Sequence, residues 1–180
     1  HAVLIGMGGS SLAPEVMQRT FGAAPGYLSL KVLDTTDPAT ILALERSLDL
    51  ERTVFLVSSK SGTTTESLAF YRYFWEKLRE RKGDGAGDNF IAITDPGTPL
   101  EQLAVSRRFR RVFRNPPDIG GRYSALSCFG LTPAALIGMD VAELLDRSER
   151  MAQACMPGVP TGDNPGAWLG AIMAALAKEG

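Results

Sequence analysis

The sequence predicts an α/β fold, a three-layer αβα sandwich around a five-stranded parallel sheet. Three observations carry this expectation. Short apolar runs alternate with segments of helical periodicity along the first two thirds of the chain. The runs are unbroken rather than alternating, as expected of strands buried on both faces. Helix-start signals follow the runs at the right places, as in Asp37-Pro38 and Thr98-Pro99-Leu100-Glu101.

Taken in order, "AVLIG" at residues 2–6 is the first strand and Leu12 to Thr20 its helix. "LKVLD" is followed by a helix over Ala39 to Leu48, and "TVFLVS" by one over Thr64 to Arg81. "NFIAIT" leads to Pro99 to Ser106, and "RFRRVF" supplies a fifth strand. The tract "KGDGAGD" reads as a flexible surface connection. Beyond Arg114, "NPPDIGGRYSALS" is a loop, and helices follow over Ser124 to Ile137, Val141 to Ala154 and Pro165 to Lys178. The last is apolar nearly all round, so it is either deeply buried or packed against a segment outside this chain.

Composition removes several function classes. A formal charge of -1 gives no global field for nucleic acid or an anionic membrane. The basic run at residues 107–114 reads as an edge strand with solvated arginines, Phe109 and Phe113 sharing a face with Arg111. The two cysteines, Cys128 and Cys155, form no CxxC pair, which argues against a metal site and suits a reducing cytoplasm. No apolar stretch is long enough to span a bilayer, and the start lacks a signal-type segment. Because the chain opens almost directly in a strand, it is expected to be a piece of a longer protein.

Two small-residue turns stand at strand exits. In "GMGGSS", Gly6, Gly8 and Gly9 permit positive φ and close backbone approach before a helix N-terminus. A tight turn that binds nothing has the same composition. A dinucleotide fingerprint would need glycine where Ser11 stands, and only Asp34 speaks for that alternative. In "VSSKSGTTTES", Ser59, Lys60, Ser61, Thr63 and Thr64 surround Gly62 where strand turns to helix, an arrangement suited to one phosphate on a small molecule. Thr63-Thr64-Thr65-Glu66 also fits a capping box, which accounts for part of the hydroxyl density but not for Ser59, Lys60 and Ser61. In a doubly wound sheet both loops lie at the edge where ligands bind. In "GGRYSALS", Gly120 and Gly121 allow a sharp turn, Arg122 can stabilise a developing oxyanion, and Ser124 caps or opens the next helix. A salt-bridged surface arginine is the plainer reading.

"GMGGSSLAPE", "SSKSGTTTES" and "GGRYSALSCFGLTPAAL", in this order and spacing, resemble the N-terminal sugar-isomerase (SIS) domain of the phosphoglucose isomerases, a Rossmann-like fold. The form of the first two is most similar to the isomerase half of bifunctional transaldolase/phosphoglucose isomerases. The resemblance runs through essentially the whole chain and implies one phosphosugar-binding domain over 1–180. It implies that Ser59, Lys60, Ser61 and Thr64 hold the substrate phosphate, with Thr63 and Gly121 beside them, that Gly9 and Ser10 line the sugar, and that Arg122 steadies an enediolate. Ser61-Gly62 departs from the Thr-Phe of many members.

The implied reaction interconverts glucose 6-phosphate and fructose 6-phosphate with no metal and no redox cofactor. The family's glutamate, histidine and lysine have no counterpart here, His1 lying outside every motif, so this chain alone is expected to bind without catalysing. Implied partners are a sugar phosphate, a C-terminal isomerase domain, a transaldolase domain ahead of residue 1 and a second copy in a homodimer. A non-enzymatic SIS module that senses a phosphosugar is the alternative.

Overall fold

The computed structural model describes residues 1–179, and the chain divides into two units, His1–Met139 and Asp140–Gly180. In the first unit, strands β1 (Ala2–Ile5), β2 (Leu30–Leu33), β3 (Val54–Ser58), β4 (Phe90–Thr94) and β5 (Arg111–Arg114) form one parallel sheet in the order β2-β1-β3-β4-β5. The expected α/β architecture is therefore present. The direction of winding across the sheet reverses between β1 and β3, the position at which such sheets open a crevice at their carboxyl ends.

Successive side chains of a strand point to opposite faces. Val3, Ile5, Phe55, Val57, Phe90 and Ala92 face one side, where α3 (Thr65–Lys82) and α4 (Pro99–Ser106) bury Phe70, Phe74, Trp75, Leu78, Leu100 and Ala104 against them, with Ile41 and Leu44 of α2 (Pro38–Arg46) beside them. Phe55 stacks on Phe74 at 4.6 Å and on Phe90 at 5.4 Å between ring centres. Burial in this cluster pushes the Tyr71 hydroxyl up to about 12. On the opposite face α1 (Leu12–Phe21) and α5 (Cys128–Leu136) pack together, α1 against β2 and α5 against β4, completing the three layers.

Several local expectations change. The tract "KGDGAGD" is a 3₁₀ segment, Gly83–Asn89, with Ala86, Gly87 and Asn89 buried. Gly87 is needed there for packing, since a Cβ would sit 2.4 Å from the carbonyl oxygens of Arg107 and Arg108. Phe109 precedes β5 instead of sharing its face with Arg111, and stacks on Phe90 at 5.3 Å. The surrounding arginines are engaged locally: Arg107 lies over Trp75, Arg110 donates to the Asp88 carbonyl, and Arg114 pairs with Glu101. The helix expected from Ser124 begins later. Gly121–Leu126 is a 3₁₀ segment, and α5 starts at Cys128 with Ser127 as the residue whose hydroxyl caps it.

The second unit holds α6 (Val141–Ala154) and α7 (Pro165–Glu179). Asp140 caps α6 by accepting from the Glu143 N–H, and Asn164 accepts from the Ala167 N–H, as the Asn-Pro signal predicts. No residue of α7 is buried: Trp168, Leu169, Ile172, Met173 and Leu176 are all 49–63% exposed. Deep burial within this chain, one of the two expectations for this helix, is thus overturned. Among the described residues no helix is long and apolar enough to cross a membrane.

Candidate anion-binding site at the sheet's carboxyl edge

The exits of β1 and β3 are neighbours because their strands pair in register, Ile5 opposite Val57. Gly8 has φ +55°, which favours glycine, and opens the short 3₁₀ turn Gly8–Ser10. Gly9 is required for a different reason: a Cβ there would sit 2.2 Å from the Gly121 carbonyl oxygen. The close approach that the three-glycine motif suggested is therefore made to the "GGRYS" loop. Gly120 and Gly121 have no positive φ, yet the chain does turn there: the Tyr123 N–H donates to the Gly120 carbonyl at 2.9 Å as the 3₁₀ segment Gly121–Leu126 begins.

The turn after β3 is shaped by its own hydroxyls. Ser59 is almost wholly buried, and its Oγ accepts from the Gly62 N–H at 3.1 Å and shares a hydrogen bond of 2.8 Å with Thr64 Oγ1. Ser61 Oγ accepts from both the N–H and the hydroxyl of Thr63, at 3.2 and 2.9 Å. Gly62 has φ +68°. The capping box proposed for Thr63 to Glu66 does not form. Thr64 stands at the N-cap of α3 but makes no side-chain cap. Among the described residues the N–H groups of Lys60, Ser61 and Thr64 have no acceptor. An 18-residue helix thus begins with donors unspent and its dipole's positive end beside Ser61 and Thr63, both exposed.

Lys60 points elsewhere than a bare phosphate loop would suggest. Its ammonium forms an ion pair with Asp95, at the exit of β4, and donates to the Pro117 carbonyl at 2.9 Å. Arg122 is exposed and makes no ion pair among the described residues, so the salt-bridged reading is not realised. Ser124 neither caps nor opens α5. Its hydroxyl donates to the carbonyls of Gly9 at 2.9 Å and Gly121 at 2.6 Å, although one hydroxyl proton serves only one of them at a time.

The sequence reading passed over Ser58, Asp95, Asn115 and Pro117. Ser58 is buried, and its hydroxyl donates to the Ser10 carbonyl at 3.1 Å, tying the β1 and β3 exits together. Asn115 is buried too. Its N–H donates to the Thr94 carbonyl and its side-chain oxygen accepts from the Cys128 N–H. Asp95 could have been found by the rule that ligand-edge residues follow strands. Ser58, Asn115 and Pro117 carry no local signal, because their partners lie far along the chain. His1, by contrast, lies at the amino edge, where its carbonyl accepts from the Val54 N–H, a strand length of about 13 Å from these loops.

A groove between α3 and α4, lined by Tyr71, Arg72, Trp75, Leu103 and Arg107, meets these loops only at Gly62. It lies against the aromatic core, and none of the hydroxyl or glycine-loop residues other than Gly62 lines it.

Comparison with known proteins places the chain in one family. The family model described as phosphoglucose isomerase matches residues 1–170. A glucose-6-phosphate isomerase of Thermus thermophilus is 38% identical over 143 residues, covering 79% of this chain and 34% of the relative. The crystal structure of a hypothetical protein from the same species superposes with a TM-score of 0.86 at 31% identity, over 97% of this chain and 41% of that one. A glucose-6-phosphate isomerase from Chlamydia trachomatis gives a TM-score of 0.74 at 30% identity, over 86% and 30%. The chain spans about a third of the length of the curated relatives it matches.

Proposed function

Because the chain belongs to the phosphoglucose isomerase family, we propose that residues 1–180 form the phosphosugar-binding part of a protein that interconverts glucose 6-phosphate and fructose 6-phosphate through a cis-enediol intermediate. The observation that carries this reading is the start of α3, where N–H groups of Lys60, Ser61 and Thr64 find no acceptor among the described residues and lie beside exposed hydroxyls. A phosphate there accepts charge-assisted hydrogen bonds and meets the positive end of a helix dipole.

The phosphate is remote from the reacting carbons, so its binding energy orients the sugar. The neighbouring β1 exit then offers Gly9 and Ser10 to the sugar. Arg122, a permanent charge with no ion pair among the described residues, is positioned on the adjoining loop to stabilise the oxyanion that develops as a proton leaves C2. Moving that proton to C1 needs a base, and opening the ring needs an acid. Glu66 is the nearest carboxylate in sequence to the phosphate loop, but it sits in the first turn of α3, on the phosphate side. We assign the base and ring-opening groups to segments outside residues 1–180. The further expectation of a transaldolase partner domain rests on the resemblance of the first two motifs alone.

The test is calorimetric titration of this chain with 6-phosphogluconate and with unphosphorylated gluconate. The phosphorylated ligand is expected to bind at least about tenfold tighter, and a Ser61→Ala, Thr64→Val double variant to lose most of that preference. A folded wild-type chain that does not discriminate between the two ligands would sink the proposal.

A further inference from the structure

Each of the three loops at this edge is hydrogen-bonded to the other two. Ser58 joins the β3 exit to the β1 exit through the Ser10 carbonyl, and Ser124 joins the Arg122 loop to the β1 exit through the Gly9 carbonyl. The third side of the triangle is Lys60, whose ammonium reaches from the β3 exit to the Pro117 carbonyl in the loop that carries Arg122. It is the one side made by a charged group.

From this geometry we infer that Lys60 is a positioning residue which acts through Asp95 and Pro117 to set the Arg122 loop against the phosphate loop, and that its ammonium is not a phosphate ligand. The inference rests on the proposed phosphosugar reading of the site. Asp95 fixes the direction of the ammonium. Its Oδ2 takes the ion pair while its Oδ1 is buried without a partner among the described residues, so the carboxylate depends on Lys60 for compensation. Backbone bonds hold the same corner: the Asp95 N–H donates to the Lys60 carbonyl at 3.3 Å, and Asn115 pins the loop start to β4.

The loop from Asn115 to Ser124 is thus anchored near its start by Asn115 and at its end by Ser124, with Lys60 the only side chain from another element that holds its middle among the described residues. Removing that bond frees the segment that leads to Arg122 and leaves intact the N–H groups of Lys60, Ser61 and Thr64. Phosphate capture and Arg122 placement therefore separate, a result that neither a direct ligand role nor a general structural role produces.

The experiment titrates the chain and its Lys60→Met, Lys60→Arg, Asp95→Asn and Arg122→Met variants with inorganic phosphate and with 6-phosphogluconate, monitoring melting temperature throughout. Lys60→Met is expected to leave phosphate affinity within about twofold while weakening 6-phosphogluconate about tenfold, as far as Arg122→Met does, with no further loss in the double variant. Lys60→Arg, which can still bridge a carboxylate and a carbonyl, should restore most of the loss. Asp95→Asn should follow Lys60→Met and serves in its place if that variant fails to fold. A tenfold loss of inorganic phosphate in Lys60→Met would make the ammonium a direct ligand. Equal losses of both ligands, or additive losses with Arg122→Met, would overturn the coupling. If wild type binds neither ligand, the phosphosugar reading itself fails, a result distinct from all of these.

Discussion

The exits of β3 and β4 are two solutions to the same problem. Each ends a central strand, turns through a glycine with positive φ, Gly62 or Gly97, and starts a helix behind a threonine. After β4 the turn closes on itself: Thr98 Oγ1 accepts from the Glu101 N–H at 3.3 Å, and Glu101 reaches back to the Gly97 N–H at 2.6 Å. This is a capping box whose return arm lands one residue before the N-cap. After β3 the matching groups are spent otherwise. Thr64 turns its hydroxyl to Ser59, and among the described residues Glu66 makes no return bond and the helix donors stay open. A helix start that satisfies itself needs no partner, and one that spends its caps on loop shape while leaving its N–H groups free is the basis of the anion site proposed above.

The largest expected effect comes from exchanging glycine for alanine in the two turns. At Gly62 a Cβ would sit 2.7 Å from Thr98 Cβ and 2.9 Å from the Leu100 nitrogen, besides the cost of φ +68°. Gly62→Ala should cost about 3 kcal/mol in urea unfolding and abolish 6-phosphogluconate binding. Gly97, with φ +77° and no atom within 4 Å of a Cβ, bears only the backbone cost. Gly97→Ala should lose about 1 kcal/mol and keep the ligand. Similar losses at both positions would mean that the β3 exit is no more constrained than its neighbour.

Next come the threonines. Thr64→Val removes a hydroxyl that shapes the open turn, and is expected to weaken 6-phosphogluconate about tenfold with a stability change near ~1 kcal/mol. Thr98→Ala removes the cap of α4, and should cost about 1 kcal/mol with ligand affinity unchanged. Calorimetry and denaturation on the same samples separate the two. If Thr98→Ala weakens the ligand as much as Thr64→Val, the self-satisfied turn belongs to the site and the contrast collapses.

How much of this was legible follows from the range of the interactions. The strands were, because a run such as Phe55 to Val57 needs burial on both faces wherever it lies, and so were the caps at Asp37, Thr98 and Asn164, whose partners are three residues away. The meeting of the first two loops was legible through the rule for strand exits, and the third motif joined them through the family resemblance. What each polar group does there was not. Lys60, Ser58 and Ser124 find acceptors 57, 48 and 115 residues away, and no local pattern encodes such a pairing. Glycine misled at Gly87, which serves packing instead of flexibility, whereas the turn at Gly120 and Gly121 forms without positive φ and the close approach falls at Gly9.

The smallest effect sharpens the contrast through pH. The Gly97 N–H first, and then the Arg114 guanidinium, hold the Glu101 carboxyl below its usual value of 4.5. A group depressed on folding stabilises the fold above its unfolded value, and the contribution is lost as pH falls through the folded value. Wild type should therefore melt above Glu101→Gln at neutral pH, and the two melting curves should converge as pH drops below about 4.5, since protonating Glu101 removes the interaction that glutamine lacks. Asp37 and Glu45 are also held low, Asp37 by Thr40 and Glu45 by Lys77 and Tyr73 against its own burial, so both proteins still lose stability in acid. What discriminates is the gap between the curves. A gap that stays constant from neutral pH to about pH 3 would mean that the Glu101 charge contributes nothing, leaving the Thr98 hydroxyl as the whole difference between a closed helix start and an open one.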